Sequence, residues 1–396
     1  MRAKIKRAIF YGTWLIRFSC CTVFYLILSI PLRFNKKYKD LWIISERPDE
    51  ARDNGYWLYK WIVENKPDTN VRYVLAKDSV DYEKMPRKDL IIEPNSAKHY
   101  IYYILSSYSV STHMHGACPG KSFCIPFLFL MRRKKSVFLQ HGITRNMINL
   151  RGGLDIITAA SEEEKKLLVR ANPRYNGNVF VTGFCRYDQL EDLSEETQPR
   201  MILVMPTFRK WLRDIARLKN PDREFRKTTY YKKWNELLND EKLGKLLREN
   251  NIKLLFFPHK EMQGLAHNFK SKNKSIVIGK PGEYDIQELL RRASILITDY
   301  SSVLFDFVYM RKPIVLYQFD KKDFFSKHYS TSGKPYPFGD ICEQSSEVVD
   351  EVVSTVERKY RMKKNYADDA SKFFKYRDRN NCERVYNLIV GEKNNE

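Results

Sequence analysis

Residues Ile295 to Asp320, ILITDYSSVLFDFVYMRKPIVLYQFD, decide the fold. Ile295, Leu296 and Ile297 are a short apolar run suited to a strand buried on both faces, as parallel strands in α/β proteins are. Asp299-Tyr300-Ser301-Ser302 supplies turn and N-cap residue types. Val303, Leu304, Phe307 and Val308 then recur at helical spacing, Pro313 stops the helix, and Ile314 to Tyr317 is a second strand. A strand feeding a helix through Ser-Ser leaves backbone N–H groups and two hydroxyls at the sheet's carboxyl edge. Two readings are open there: the serines cap the helix, or they hold a phosphate.

Two further strand ends lie upstream. Met201 to Met205 delivers Pro206-Thr207-Phe208-Arg209, and Lys253 to Phe257 delivers Pro258-His259-Lys260. In one parallel sheet, Thr207 with Arg209, His259 with Lys260, and Asp299 with Ser301 and Ser302 reach the same edge, where cations and N–H groups suit a diphosphate. Asp306 either orients substrate hydroxyls or forms a salt bridge within its helix. Lys210 to Lys233 is a basic stretch with interspersed aromatics, and a solvated surface is the simpler reading.

The first half alternates strand and helix as well. LWIIS from Leu41, VRYVLA from Val71, LIIEP from Leu90, Val137-Phe138-Leu139, DIITAAS from Asp155 and VFVTG from Val179 read as strands. Asp53-Asn54-Gly55 leads into Tyr56, Trp57, Tyr59 and Trp61, aromatics at helical spacing that suit a core. Gln140-His141-Gly142 ends one strand; His141 is a structural histidine or a general base, and Gly142 allows a substrate to approach the backbone. Arg186 and Asp188 follow Gly183 and form a surface salt bridge or touch a ligand.

The polar run Glu191 to Arg200 marks a linker. It divides an N-terminal α/β domain, 41–195, from a C-terminal one, 196–390. Residues 1–40 hold an apolar segment, Ile9 to Leu32, between basic clusters and interrupted by Arg17. It reads as an in-plane or re-entrant membrane anchor, with a span and a buried core helix as alternatives.

The chain has 396 residues, 70 Lys plus Arg against 48 Asp plus Glu, and a formal net charge of +22, which calls for an anionic partner such as a phospholipid surface, a nucleotide or a phosphate polymer. No RNP, zinc-finger or basic-zipper pattern occurs, so nucleic acid is not the expected partner. Seven scattered cysteines lack metal-ligand spacing, and no clustered Asp/Asp pattern suggests a metal. No cofactor is expected.

SERPDEARDNGYWLYKWI near Ser45, LQHGITRN around His141, GFCRYD at Gly183, MPTFRK at Met205, FFPHKEM around His259 and LITDYSSVLFDFVYMRKP at Leu296 occur in order along the chain. In these the sequence resembles the CDP-glycerol:poly(glycerophosphate) glycerophosphotransferases, the teichoic-acid primases and polymerases of bacterial cell envelopes. The resemblance implies two Rossmann-like domains facing a cleft, a glycosyltransferase-B type fold. It implies His141 as the base that deprotonates an acceptor hydroxyl, and His259, Arg209, Ser301 and Ser302 as holders of the donor's diphosphate. The family commonly shows His-Pro where this chain has His259-Lys260; Lys260 adds charge at the diphosphate or points to solvent.

The expected function is transfer of glycerol phosphate or ribitol phosphate from a CDP-activated donor to a lipid-linked glycan or polymer at the cytoplasmic membrane face, releasing CMP. Catalysis would fall to His141 and His259. Donor binding would fall to Thr207, Arg209, Asp299, Ser301 and Ser302, and further contacts to Gly142, Arg186 and Asp306. A nucleotide-sugar glycosyltransferase and a non-catalytic, membrane-bound polymer-binding component are the rival readings. Donor screening and a His141→Ala variant separate the three.

Overall fold

The computed structural model describes residues 19–114, 116–120, 134–143, 148–280, 282–327 and 338–391. Residues 1–18 of the expected membrane segment, Cys124 and the tail after Gly391 lie outside them. The chain forms two compact units: the described residues up to 188 together with 376–391, and residues 189–375.

The first unit holds a seven-stranded sheet in the order β3-β2-β1-β4-β5-β6-β7, built from β1 (Trp42–Ser45), β2 (Val71–Val74), β3 (Ile91–Ile92), β4 (Tyr108–Ser111), β5 (Lys135–Phe138), β6 (Ile156–Ala159) and β7 (Val179–Val181). Every pairing is parallel, and β1 lies between β2 and β4. The strand order therefore reverses at β1/β4, which opens a crevice at the carboxyl ends of these strands. The second unit repeats the plan with six parallel strands in the order β10-β9-β8-β11-β12-β13: β8 (Arg200–Met205), β9 (Ile252–Phe256), β10 (Ile276–Ile278), β11 (Ile295–Thr298), β12 (Ile314–Tyr317) and β13 (Asp340–Cys342). Its reversal lies at β8/β11, where Thr298 pairs with Met205. Strands β1, β6, β11 and β12 are buried along their whole length, as sheets covered on both faces require.

The domain boundary differs from the expected 195/196. The polar run after Gln189 is tied to the second unit: Leu193 N donates to the Arg291 carbonyl at 3.0 Å, and the buried Lys312 ammonium lies 3.2 Å from Asp192 while donating to the carbonyls of Leu290 and Arg291. The C-terminal helix, Asn381–Val390, belongs to the first unit rather than the second. Asp188 accepts from the backbone N of Asn381 and Cys382 at 2.9 and 2.8 Å, so it caps that helix instead of forming a surface salt bridge. Val385 and Ile389 join the core around Trp42, Tyr59 and Tyr73. At Gly183, φ is +74° and a Cβ would overlap the Asn381 amide, so the turn beneath this helix requires glycine.

Among the described residues no helix is long and apolar enough to cross a membrane, so the spanning alternative gains no support. Residues 19–32 are helical. One stripe of that helix, Thr22, Leu26 and Ser29, is buried, and Leu26 packs with Ile43, Tyr100 and Tyr103. The other stripe, with Phe24, Ile27, Leu28 and Ile30, faces solvent, and Phe34 beyond it is 89% exposed.

Candidate active site

In the first unit, paired strands β4 and β5 present two imidazoles. Leu139 N donates to the Ser111 carbonyl at 2.8 Å, so the segments beyond the two strand ends stay in step. The chain then turns at Gln140, whose φ of +56° is left-handed and whose Nε2 donates to the Thr158 carbonyl at 2.5 Å. That turn brings His141 to the surface and Gly142 beside it. Asn54 pins the turn from below, its Nδ2 donating to the Gln140 carbonyl at 2.9 Å and its Oδ1 accepting from Arg186 N at 3.1 Å.

Arg186, expected as a ligand contact, is buried. Its guanidinium pairs with Asp53 at 2.9 Å, donates to the His141 carbonyl at 3.0 Å and lies near the rings of Phe184 and Tyr187. Its charge is spent on holding the loop, because a buried guanidinium needs a carboxylate and several acceptors. Asp53 also accepts from Asn54 N and starts the helix Asn54–Asn65. Glu46, which follows β1, accepts from the backbone N of Arg52, Asp53 and Tyr56 at 2.8, 2.9 and 2.7 Å. Burial and the charge of Asp53 nonetheless push its pKa up to about 8. Although His141 reaches the surface, partial desolvation of its ring against the loop lowers its pKa below the ordinary histidine value; Asp53 opposes this, and Arg186 and Arg47 reinforce it. His141 is thus neutral and able to accept a proton at pH 7.

In the second unit, Arg209 has no exposed surface. It pairs with Asp299 at 2.9 Å and with both oxygens of Asp320 at 2.7 and 3.0 Å, and donates to the Thr207 carbonyl at 2.6 Å. The rings of Tyr300 and Phe324 flank it, stacked on each other at 3.7 Å. Burial disfavours its charge, but Asp299 and Asp320 outweigh that and keep it protonated. Asp299 is equally buried, and its Oδ1 accepts from Thr207 N and Tyr300 N at 2.9 and 2.6 Å. Arg209 and Asp299, expected as donor contacts, therefore brace the ends of β8, β11 and β12, with Thr207 buried among them. Asp306 is also buried, on a short helix.

What reaches solvent at this edge is Ser302, part of Ser301, His259 and Lys260. The short helix begins at Leu304 with Val303 as its N-cap and no side-chain cap. The serines sit in the turn before it, where Ser301 Oγ accepts from Val303 N at 3.3 Å. Helix capping by Ser302 is thereby ruled out, leaving its hydroxyl at the surface. His259 accepts from Glu261 N through Nδ1 at 3.2 Å and stacks on Phe208 at 4.8 Å. Among the described residues no group of His, Cys, Asp and Glu could hold a metal ion.

Sequence reasoning missed Glu46, Asp53, Asn54 and Asp320 as site-building residues, and missed His113 altogether. His113 follows β4, whose sequence YSVS is too short and too polar to stand out as a buried strand. The Asp53-Asn54 pair before an aromatic periodic run was the available signal for a helix start.

Two doubly wound parallel sheets, each with polar groups gathered at its switch-point edge, place the chain among α/β proteins that take their ligands at strand carboxyl ends. The chain belongs to the CDP-Glycerol:Poly(glycerophosphate) glycerophosphotransferase family, whose model matches residues 26–391. It is 32% identical to the minor teichoic acid biosynthesis protein GgaB of Bacillus subtilis (strain 168) over 92% of this chain and 41% of GgaB. It is 26% identical to the teichoic acid glycerol-phosphate primase of the same organism over 59% of this chain and 57% of that protein. The chain thus spans well under two thirds of either relative. The structure of the wall teichoic acid polymerase TagF matches 99% of this chain and 98% of that chain with a TM-score of 0.64 at 15% identity, a likeness of fold.

Proposed function

We propose that the protein transfers a polyol phosphate from a CDP-activated donor to a hydroxyl of a growing teichoic-acid-type polymer or lipid-linked glycan. The observation that carries this reading is His141: an imidazole raised to the surface at a strand end and held there by buried Arg186 and Asn54 and half-buried Asp53. In the reaction the acceptor oxygen attacks the phosphorus that bears the polyol, and His141 takes the hydroxyl proton. The bond from that phosphorus to the bridging oxygen breaks, and CMP leaves with the electron pair. In-line positioning and neutralisation of oxygen charge supply most of the acceleration in such transfers. Ser301, Ser302, His259 and Lys260 are the groups of the second unit that would hold the diphosphate, on loops braced by Arg209.

The exposed apolar stripe with Phe24, Ile27, Leu28 and Ile30, followed by Phe34 and exposed Lys36, Lys37 and Lys39, supports a peripheral seat on an anionic membrane surface at the cytoplasmic face, where a lipid-linked acceptor would be met.

The test is CMP release by purified protein with CDP-glycerol and, separately, CDP-ribitol, each with a membrane lipid extract as acceptor. Acceptor-dependent release that His141→Ala abolishes is the expected result. No release from either donor overturns the reading in favour of another nucleotide donor.

A further inference from the structure

His113 lies directly beyond β4 and His141 beyond β5. Their rings are parallel within 6°, with centroids 5.6 Å apart. The placement of His113 is built from the sheet upward. Ser111 and Thr112 are buried, Ser45 Oγ donates to Ser111 Oγ at 3.3 Å, and Ser111 Oγ accepts from His113 N at 3.1 Å. Thr112 Oγ1 lies 3.0 Å from His113 Nδ1, which fixes the ring about its own axis. A side chain anchored this way on a strand end is a stiff wall for the ring beside it.

We propose that His113 is a positioning residue for the transfer: its ring, stacked on His141, sets the plane of that imidazole, and the two rings together carry at most one positive charge, so that His141 meets the acceptor hydroxyl as a neutral base. The proposal rests on the base role given to His141 above.

Two like charges about 5.6 Å apart repel near a protein surface, where the effective dielectric is low, and more weakly in bulk water. The second proton is therefore disfavoured at either limit. Arg186 and Arg47 already oppose a proton on His141, with Asp53 acting the other way, so the proposal places the first proton of the pair on His113. A cation on His113 then makes protonation of His141 harder still, which extends the range over which His141 is a competent base toward acid.

Two substitutions separate charge from stacking. His113→Phe keeps a ring against His141 and removes the titrating group. The expected result is a plateau rate of CMP release within about threefold of wild type, with the acid limb of the kcat/KM profile moved to higher pH by about one unit. His113→Ala removes the ring as well, and its plateau is expected to fall about tenfold or more as the imidazole plane is released. Wild-type acid limbs in both variants overturn the proposal. Should the wild type show no turnover with either CDP-polyol, the base role fails by itself. The coupling is then read by NMR titration of isotope-labelled histidines: His141 gains its proton at higher pH in His113→Phe than in wild type if the rings are coupled, and at the same pH if they are not.

Discussion

The two switch-point edges are built alike and finished differently. In each unit a buried arginine paired with aspartate ties the strand-end loops together: Arg186 with half-buried Asp53 in the first, Arg209 with Asp299 and Asp320 in the second. Above the first brace stand two imidazoles, His141 and His113; above the second stand two hydroxyls, an imidazole and an ammonium, Ser301, Ser302, His259 and Lys260. The buried charges of Arg186 and Arg209 therefore belong to the scaffolds, while the residues that reach solvent stand beside them. Burial explains the division, since an ionised side chain taken out of water is kept only where a partner and hydrogen bonds satisfy it.

On the proposed function the first edge supplies the base and the second holds the donor, so the sharpest break is His141→Ala. CMP release is expected to fall 10²- to 10⁴-fold while donor affinity, measured by calorimetry with CDP-glycerol, stays within about twofold. Loss of affinity in step with rate would move the donor to the first edge. Next in size is Arg209→Met, which leaves Asp299 and Asp320 buried without their cation. It is expected to destabilise the second unit by about 3–5 kcal/mol, read by denaturant-dependent amide exchange in β8, β11 and β12, with the first unit's strands unaffected. An unchanged exchange pattern would show that Arg209 is not a brace.

Most of the fold was legible because the parallel strands are continuous apolar runs with turn residues at their ends, as in the segment from Ile295 to Asp320. Strands β4, β10 and β13 were not: β4 alternates with serine, and β10 and β13 are partly exposed strands at the two edges of their sheet. The strand-end positions of His141 and Ser301-Ser302 were legible, because each follows a short apolar run. The roles of Arg186 and Arg209 were not, since burial of a charge depends on partners far away in sequence: Asp53 and Asp320. The return of the C-terminal helix to the first unit was hidden for the same reason, resting on Asp188 and a Gly183 turn that only tertiary structure joins to Asn381.

The pH dependence of stability also distinguishes the edges. Glu46 in the first unit has its pKa raised from 4.5 to about 8 by burial and by Asp53. A carboxyl raised on folding contributes stability that is complete below its unfolded pKa and lost as pH rises through its folded one. Between pH 6 and 8 the first unit should lose up to about 1.4 kcal/mol per pH unit, and Glu46→Gln should flatten that slope while weakening the cap. Amide exchange in β1 and in the helix Asn54–Asn65 reads it; a slope retained in the variant assigns the titration elsewhere.

The smallest expected effect tests the second edge directly. Ser302 is exposed and does not cap the short helix after it, so its hydroxyl contributes nothing that the fold requires. If it donates to a diphosphate oxygen, the hydrogen bond joins a neutral donor to a charged acceptor and is worth about 1.5 kcal/mol. Ser302→Ala should then raise the KM for the CDP-polyol about tenfold, with stability unchanged. Ser301 differs in accepting from Val303 N, so Ser301→Ala should lose affinity and also loosen the turn, seen as faster exchange at Val303. Equal donor KM values in wild type and Ser302→Ala would remove this hydroxyl from the donor site and leave the diphosphate to His259 and Lys260.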